Sequence, residues 1–128
     1  MEQPRRPTLG QLIIKKMAFY KQGDIVSVNF PFTDISQTKR RPALVISNDL
    51  VNQTGDYLLV QITSQVKNDG LSLPIQSADY ANTPLQLISF IRLHKVFLLN
   101  ESLIIKKSSE LIPSFHQRLM VEFQKLIS

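Results

Sequence analysis

DIVSVNF, residues 24–30, decides how the rest of this chain is read. Val26, Val28 and Phe30 alternate with Ile25, Ser27 and Asn29, the period of two expected of a half-buried strand. Pro31 ends the pattern, because proline has no N–H to give to a ladder. The polar stretch PFTDISQTKRR over 31–41 is long for a hairpin connection, and long loops in compact domains are often functional. Beyond it ALVIS (43–47) is a continuous apolar run, expected to be covered on both faces and closed by Asn48 and Asp49.

Further along, YLLVQIT (57–63) predicts a third strand with Leu58, Val60 and Ile62 on one face and Leu59, Gln61 and Thr63 on the other. KNDG (67–70) is a turn, and LSLPI (71–75) a short strand whose Pro74 places it at an edge or bulge. LISFIRLHKVFLL (87–99) is one strand or two with a bend, and ESLIIKK (101–107) a last short strand or the start of a helical turn. Phe115, Leu119, Met120, Phe123, Leu126 and Ile127 fall on one helical stripe, with Gln117 three residues after Ser114 as a capping box would set it. A helix is therefore expected from about Ser114 to Leu126. Short strands at close spacing with one C-terminal helix imply a mainly β chain, a small antiparallel β-barrel with a C-terminal α-helix. N-terminal to all this, residues 1–16 (MEQPRRPTLGQLIIKK) have no sustained periodicity and read as a flexible basic leader, with Met17 a candidate natural start and 17–128 the folded domain.

Composition bounds the chemistry. With 128 residues there is room for one domain and one modest core. The absence of cysteine excludes a disulfide framework, a thiolate nucleophile and a cysteine-ligated metal, and makes an intracellular, cytoplasmic setting the default. The longest apolar stretch near the N-terminus stops at Lys15, far short of a signal-peptide core or spanning helix, so no membrane association is expected. The net charge of +5 fits a polyanionic partner, but Arg5, Arg6, Lys15 and Lys16 put most of the excess in the leader. Two histidines distant in sequence and scattered carboxylates give no metal-ligand spacing, and no cofactor is expected.

Three groups of residues can carry chemistry. Lys39, Arg40 and Arg41 end the long loop, where arginine forks match phosphate oxygens, although basic triplets on loops are usually solvated surface. Thr63 and Ser64 end the third strand, Thr63 on the face of Gln61, where a hydroxyl can donate to a phosphate or simply cap a turn. Arg92 and His94 leave one face of a strand together, opposite Ile91 and Leu93. A fixed cation beside a group that exchanges protons near neutrality is what RNA cleavage by its own 2′-hydroxyl requires, and an exposed strand face with a routine Arg and His is the plain alternative. His116, off the apolar stripe, is expected at the surface.

GDIVSVNFPF, KRRPALVISND, QITSQ and SFIRLHKVFLL, in this order and separation, resemble the MazF/PemK-like toxins of bacterial toxin-antitoxin modules over roughly residues 19–105. The resemblance implies an SH3-like barrel with a C-terminal helix, a symmetric homodimer, and an endoribonuclease cutting single-stranded RNA without metal to 2′,3′-cyclic phosphate and 5′-hydroxyl ends. It also implies a small acidic cognate antitoxin that wraps the dimer. The family's functional arginine before proline falls on Arg41, its strand-end threonine on Thr63 and its later arginine on Arg92. Where some members carry an acid/base aspartate this chain has His94, which could transfer the proton instead or mark weakened cleavage. The expected catalytic set is thus Arg41, Thr63, Arg92 and His94, with Lys39, Arg40, Gln61 and Ser64 as RNA contacts and Phe32 and Tyr57 as possible stacking partners. A non-catalytic member of the same fold that binds RNA or an antitoxin is the alternative, and a generic peptide-binding module is weakest for want of tryptophan.

Overall fold

Among the described residues six strands pair in one antiparallel sheet: β1 (Asp24–Asn29), β2 (Arg40–Val45), β3 (Asp56–Thr63), β4 (Ser72–Pro74), β5 (Phe90–Asn100) and β6 (Ile104–Glu110). A single helical turn, α1 (Asp49–Asn52), follows β2, and α2 (Pro113–Ile127) ends the chain. The computed structural model describes residues 18–29 and 40–128. The basic leader, Met17, Phe32 and Lys39 lie outside the described residues. Among the described residues no helix is long and apolar enough to cross a membrane.

The spatial order is β4-β5-β3-β2-β1-β6, so β4, with its proline, is an outer strand as Pro74 led us to expect. Among the described residues the sheet does not close by strand pairing. Instead the segment after β4 crosses to β6: Tyr80 bridges Leu111, the Ala81 N–H donates to the Glu110 carbonyl at 2.8 Å and the Ile112 N–H to the Asp79 carbonyl at 2.9 Å. Arg118 of α2 pairs with the Asp79 carboxylate on the same segment. A curled, stitched sheet of this kind is the open form of the expected barrel.

Both faces of the sheet are buried. Ile25, Leu44, Val60, Ile62 and Ile91 pack beneath Phe115 and Leu119 of α2, while Val26, Val28, Ala43, Val45, Tyr57 and Leu59 form a second core with Leu99 and Ile104. ALVIS is covered on both sides as expected, but DIVSVN is covered on both too: Ile25, Val26 and Val28 are all fully buried. A curled sheet leaves its central strands no solvent side. Gly23, just before β1, has φ of 97°, and a Cβ there would meet the Leu111 carbonyl oxygen at 3.1 Å. Glycine is what lets β1 start tight against the end of β6.

Several element boundaries differ from expectation. β2 runs Arg40–Val45, so Arg40 and Arg41, expected at the end of the loop, are strand residues paired with Asn29 and Val28 of β1. The helix begins one residue earlier than Ser114, with Pro113 in its first turn and Ile112 at the N-cap position, and the cap has no side-chain hydrogen bond. Proline has no N–H to leave unpaired in a first turn, and this displaces the expected serine cap. ESLIIKK resolves into a 3₁₀ turn, Glu101–Leu103, leading into β6. β5 is a single strand with a register break: Val60 pairs with Val96 and Ile62 with Ile91, so residues 92–95 stand opposite Gln61 alone.

Candidate functional site

A groove of about 660 Å³ crosses one end of the sheet. Arg40, Arg41 and Pro42 open β2 on it, Thr63, Ser64 and Gln65 lead out of β3 into it, and Ser27 of β1 with Lys106 and Ser108 of β6 complete the strand side. Residues Leu85, Gln86, Leu87 and Ser89 line it from the segment that precedes β5. β2 and β3 bring the first two groups together. Ala43 pairs with Gln61, and the same register carried two residues on sets Arg41 beside Thr63. A strand that begins with arginine thus meets a neighbour that ends with threonine. The Gln65 N–H donates to Thr63 Oγ1 at 3.1 Å, which turns the strand end and leaves the hydroxyl proton for another acceptor.

Of the residues singled out in the sequence, Arg40, Arg41, Thr63 and Ser64 line this groove, and Gln61 is half-buried beside Ala43 outside its lining. Arg92 is elsewhere. It is only 7% exposed, and its guanidinium donates through Nη1 and Nη2 to both oxygens of Asp69 at 3.0 and 2.8 Å and to Ser72 Oγ at 2.8 Å. Asp69 in turn accepts from the Leu71 N–H at 3.1 Å, and the Arg92 fork holds its carboxyl well below the usual carboxylate range. His94 is exposed on β5, within the stretch that bows away from β3, and does not line the groove. Ile91 and Leu93 face the core opposite the two, as alternation predicted.

Tyr57 is a correction. It is fully buried, edge-on to Tyr20 at 5.7 Å between ring centroids, and its hydroxyl accepts the Tyr20 N–H at 3.2 Å, so it cannot stack on a base. His116 is another: it is half-buried, its Nδ1 is enclosed without a hydrogen-bond partner, and burial lowers its pKa. A small cavity of about 230 Å³ separates it from Lys21 and Glu110. Sequence reading missed Lys106, Ser27, Ser108, Gln86 and Leu87. Their strands and segment are far apart along the chain, and the only local signal was the alternation in IIKKSS that points Lys106 and Ser108 the same way.

The described lining of the groove carries two guanidinium groups, one ammonium and several hydroxyls and no carboxylate, a composition that suits a polyanion. Among the described residues no group of three or more His, Cys, Asp or Glu lies together as a metal site would need.

Comparison with known proteins bears on the family and the fold. The family model described as PemK-like, MazF-like toxin of type II toxin-antitoxin system matches residues 21–126. No curated protein matches the chain by sequence. The fold is similar to MazF from Deinococcus radiodurans, at 22% identity and TM-score 0.67 over 84% of this chain and 96% of that one. The same organism's MazE–MazF complex gives 21% identity and TM-score 0.69, covering 84% and 95%. An endoribonuclease in complex with its cognate antitoxin from a mycobacterial species gives 14% identity and TM-score 0.68, covering 84% and 94%.

Proposed function

From the premise that the chain belongs to the PemK-like, MazF-like toxin family of type II toxin-antitoxin systems, we propose that it is an endoribonuclease cutting single-stranded RNA without a metal ion. The observation that carries the reading is the groove in which Arg41 and Thr63 meet at adjoining strand ends with Arg40 and Lys106 beside them. In this reaction the ribose 2′-oxygen bonds to the adjacent phosphorus as the bond to the 5′-oxygen breaks. A 2′,3′-cyclic phosphate and a 5′-hydroxyl result. The Arg41 fork offsets the charge that builds on the phosphoryl oxygens, and the Thr63 hydroxyl donates to one of them. Arg40, Ser64 and Lys39 hold flanking phosphates, and Gln61, outside the groove's lining, adds an RNA contact beside it.

Proton transfer is assigned to His94, whose imidazole can both take and give a proton. Phe90 pairs with Thr63, so β5 leaves the groove there, and an RNA strand following it would meet His94. For Arg92 to act, an RNA phosphate must replace the Asp69 carboxylate on its fork. The folded domain spans residues 17–128 with the basic leader ahead of it, works as a homodimer in the cytoplasm, and is neutralised by a cognate antitoxin.

The test is incubation with single-stranded RNA in excess EDTA, with end chemistry read by ligation and phosphatase sensitivity. Cyclic-phosphate products are expected. No cleavage, or cleavage restored only by magnesium, would defeat the mechanism. Replacing His94 by glutamine should lower kcat by about 10²-fold or more, and unchanged cleavage removes it from the reaction. A second reading, a member that binds RNA or antitoxin without cutting, is favoured by one observation: Arg92 is fully committed to Asp69 and Ser72. It predicts salt-dependent RNA affinity with no cleavage.

A further inference from the structure

The segment of residues 84–89 closes the groove opposite the strand ends, and it is pinned at both sides. On the β6 side Ser109 Oγ donates to the Thr83 carbonyl at 2.7 Å. At the other end the Ser89 carbonyl accepts the N–H of Ile75, just past β4, at 3.0 Å, Ser89 Oγ donates to the Leu87 carbonyl at 2.8 Å, and the next residue, Phe90, pairs with Thr63 of β3. The segment is therefore a fixed wall. Its chemistry is unlike that of the facing strands, which carry Arg40, Arg41 and Lys106. Gln86 presents a neutral amide and Leu87 a leucine that is 66% exposed.

Leu87 lies outside both apolar cores, and its exposed side chain lines the groove that Arg40, Arg41 and Lys106 share. A single strand of RNA in such a groove turns its phosphates to the cations and its bases to the opposite wall, and protein contacts to bases, not to phosphates, carry sequence information. Resting on the ribonuclease reading above, we infer that Gln86 and Leu87 form a base-contact wall that sets sequence preference at one position of the cleavage site. Leu87 packs against the plane of one unstacked base. Gln86, whose amide both donates and accepts, pairs with that base's edge. Lys106 on the facing side holds backbone and carries no preference.

The experiment cleaves a randomised single-stranded RNA pool with the full chain and sequences the new ends. Wild type, Leu87→Ala, Gln86→Ala and Lys106→Ala are compared after thermal melts establish that each is folded; Gln86 and Leu87 are exposed, which keeps their truncation from disturbing the core. Both wall variants should lose preference at the same nucleotide position by about tenfold, the effect of one lost contact of this kind. Lys106→Ala should lower cleavage of all sequences alike and make log affinity less steep in log salt by about 0.7. A cleaving wild type whose preference survives in both wall variants, or wall variants that lose rate uniformly as Lys106→Ala does, overturns the inference alone. A wild type that cleaves nothing defeats the ribonuclease reading and takes this inference with it.

Discussion

At the scale of the residue, two arginines have opposite circumstances. Arg41 is half-exposed on the groove beside Thr63, and Arg92 is 7% exposed and held in a fork-to-fork pair with Asp69. Sequence alone treats them as equals. Arg41→Ala should reduce kcat by about 10²- to 10³-fold with little change in thermal stability, as removal of one donor to a developing oxyanion does. Steady-state cleavage of a short RNA checks this, and unchanged activity removes Arg41 from the site. Asp69→Asn weakens the grip on Arg92, so RNA affinity should rise if a phosphate competes for that fork. A variant that only melts earlier assigns Arg92 to the fold.

At the scale of the element, strands were legible because their signal is local: β1 shows alternation, ALVIS a buried run, and Pro74 an edge. Boundaries set by competition between neighbours were not. Ser114 carries the chemistry of an N-cap, yet Pro113 beside it enters the first turn of α2 and pushes the cap back to Ile112. The apolar stripe of α2 was legible too, but not which part of it is covered. Phe115 and Leu119 are fully buried against the sheet, whereas Leu126 and Ile127 are 44% and 86% exposed. Phe115→Ala should therefore cost about 3–5 kcal/mol in urea unfolding, and Ile127→Ala about 0.5 kcal/mol or less. Comparable losses at both would mean that the C-terminal turns are covered in solution, as a dimer interface would cover them.

At the scale of the whole molecule, ion pairs tie the sheet's end to its start. Lys107 Nζ lies 2.6 Å from Glu110 and 3.1 Å from Asp24, and Lys21 Nζ 2.9 Å from Glu110. Lys107 first, then Lys21, lowers the Glu110 pKa from 4.5 to about 2. A carboxyl lowered on folding contributes stability that is present above its unfolded value and lost as pH falls through its folded one. Unfolding free energy should thus fall between about pH 4.5 and 2, and Glu110→Gln should flatten that loss. A urea midpoint series across this range checks it; an equally steep loss in the variant would show that other carboxylates govern acid stability.

Arg41 and Thr63 stood out through the family resemblance, since local pattern put Arg41 on a loop; strand periodicity and the C-terminal helix were carried by local sequence, because each rests on side-chain alternation or spacing within about ten residues. Which of the chosen residues share a site was not. That depended on register and curl: pairing of β2 with β3 brought Arg41 to Thr63, pairing of β1 with β6 brought Lys106 beside Ser27, and the crossing segment delivered Gln86 and Leu87. The bowed stretch of β5, held to the 67–70 turn through Asp69, took Arg92 out of the groove that its strand neighbours suggested. Alternation says which side of a strand a residue leaves from. Only the packed sheet decides what waits on that side, since contacts between distant segments follow from closing the core and not from any one segment's pattern.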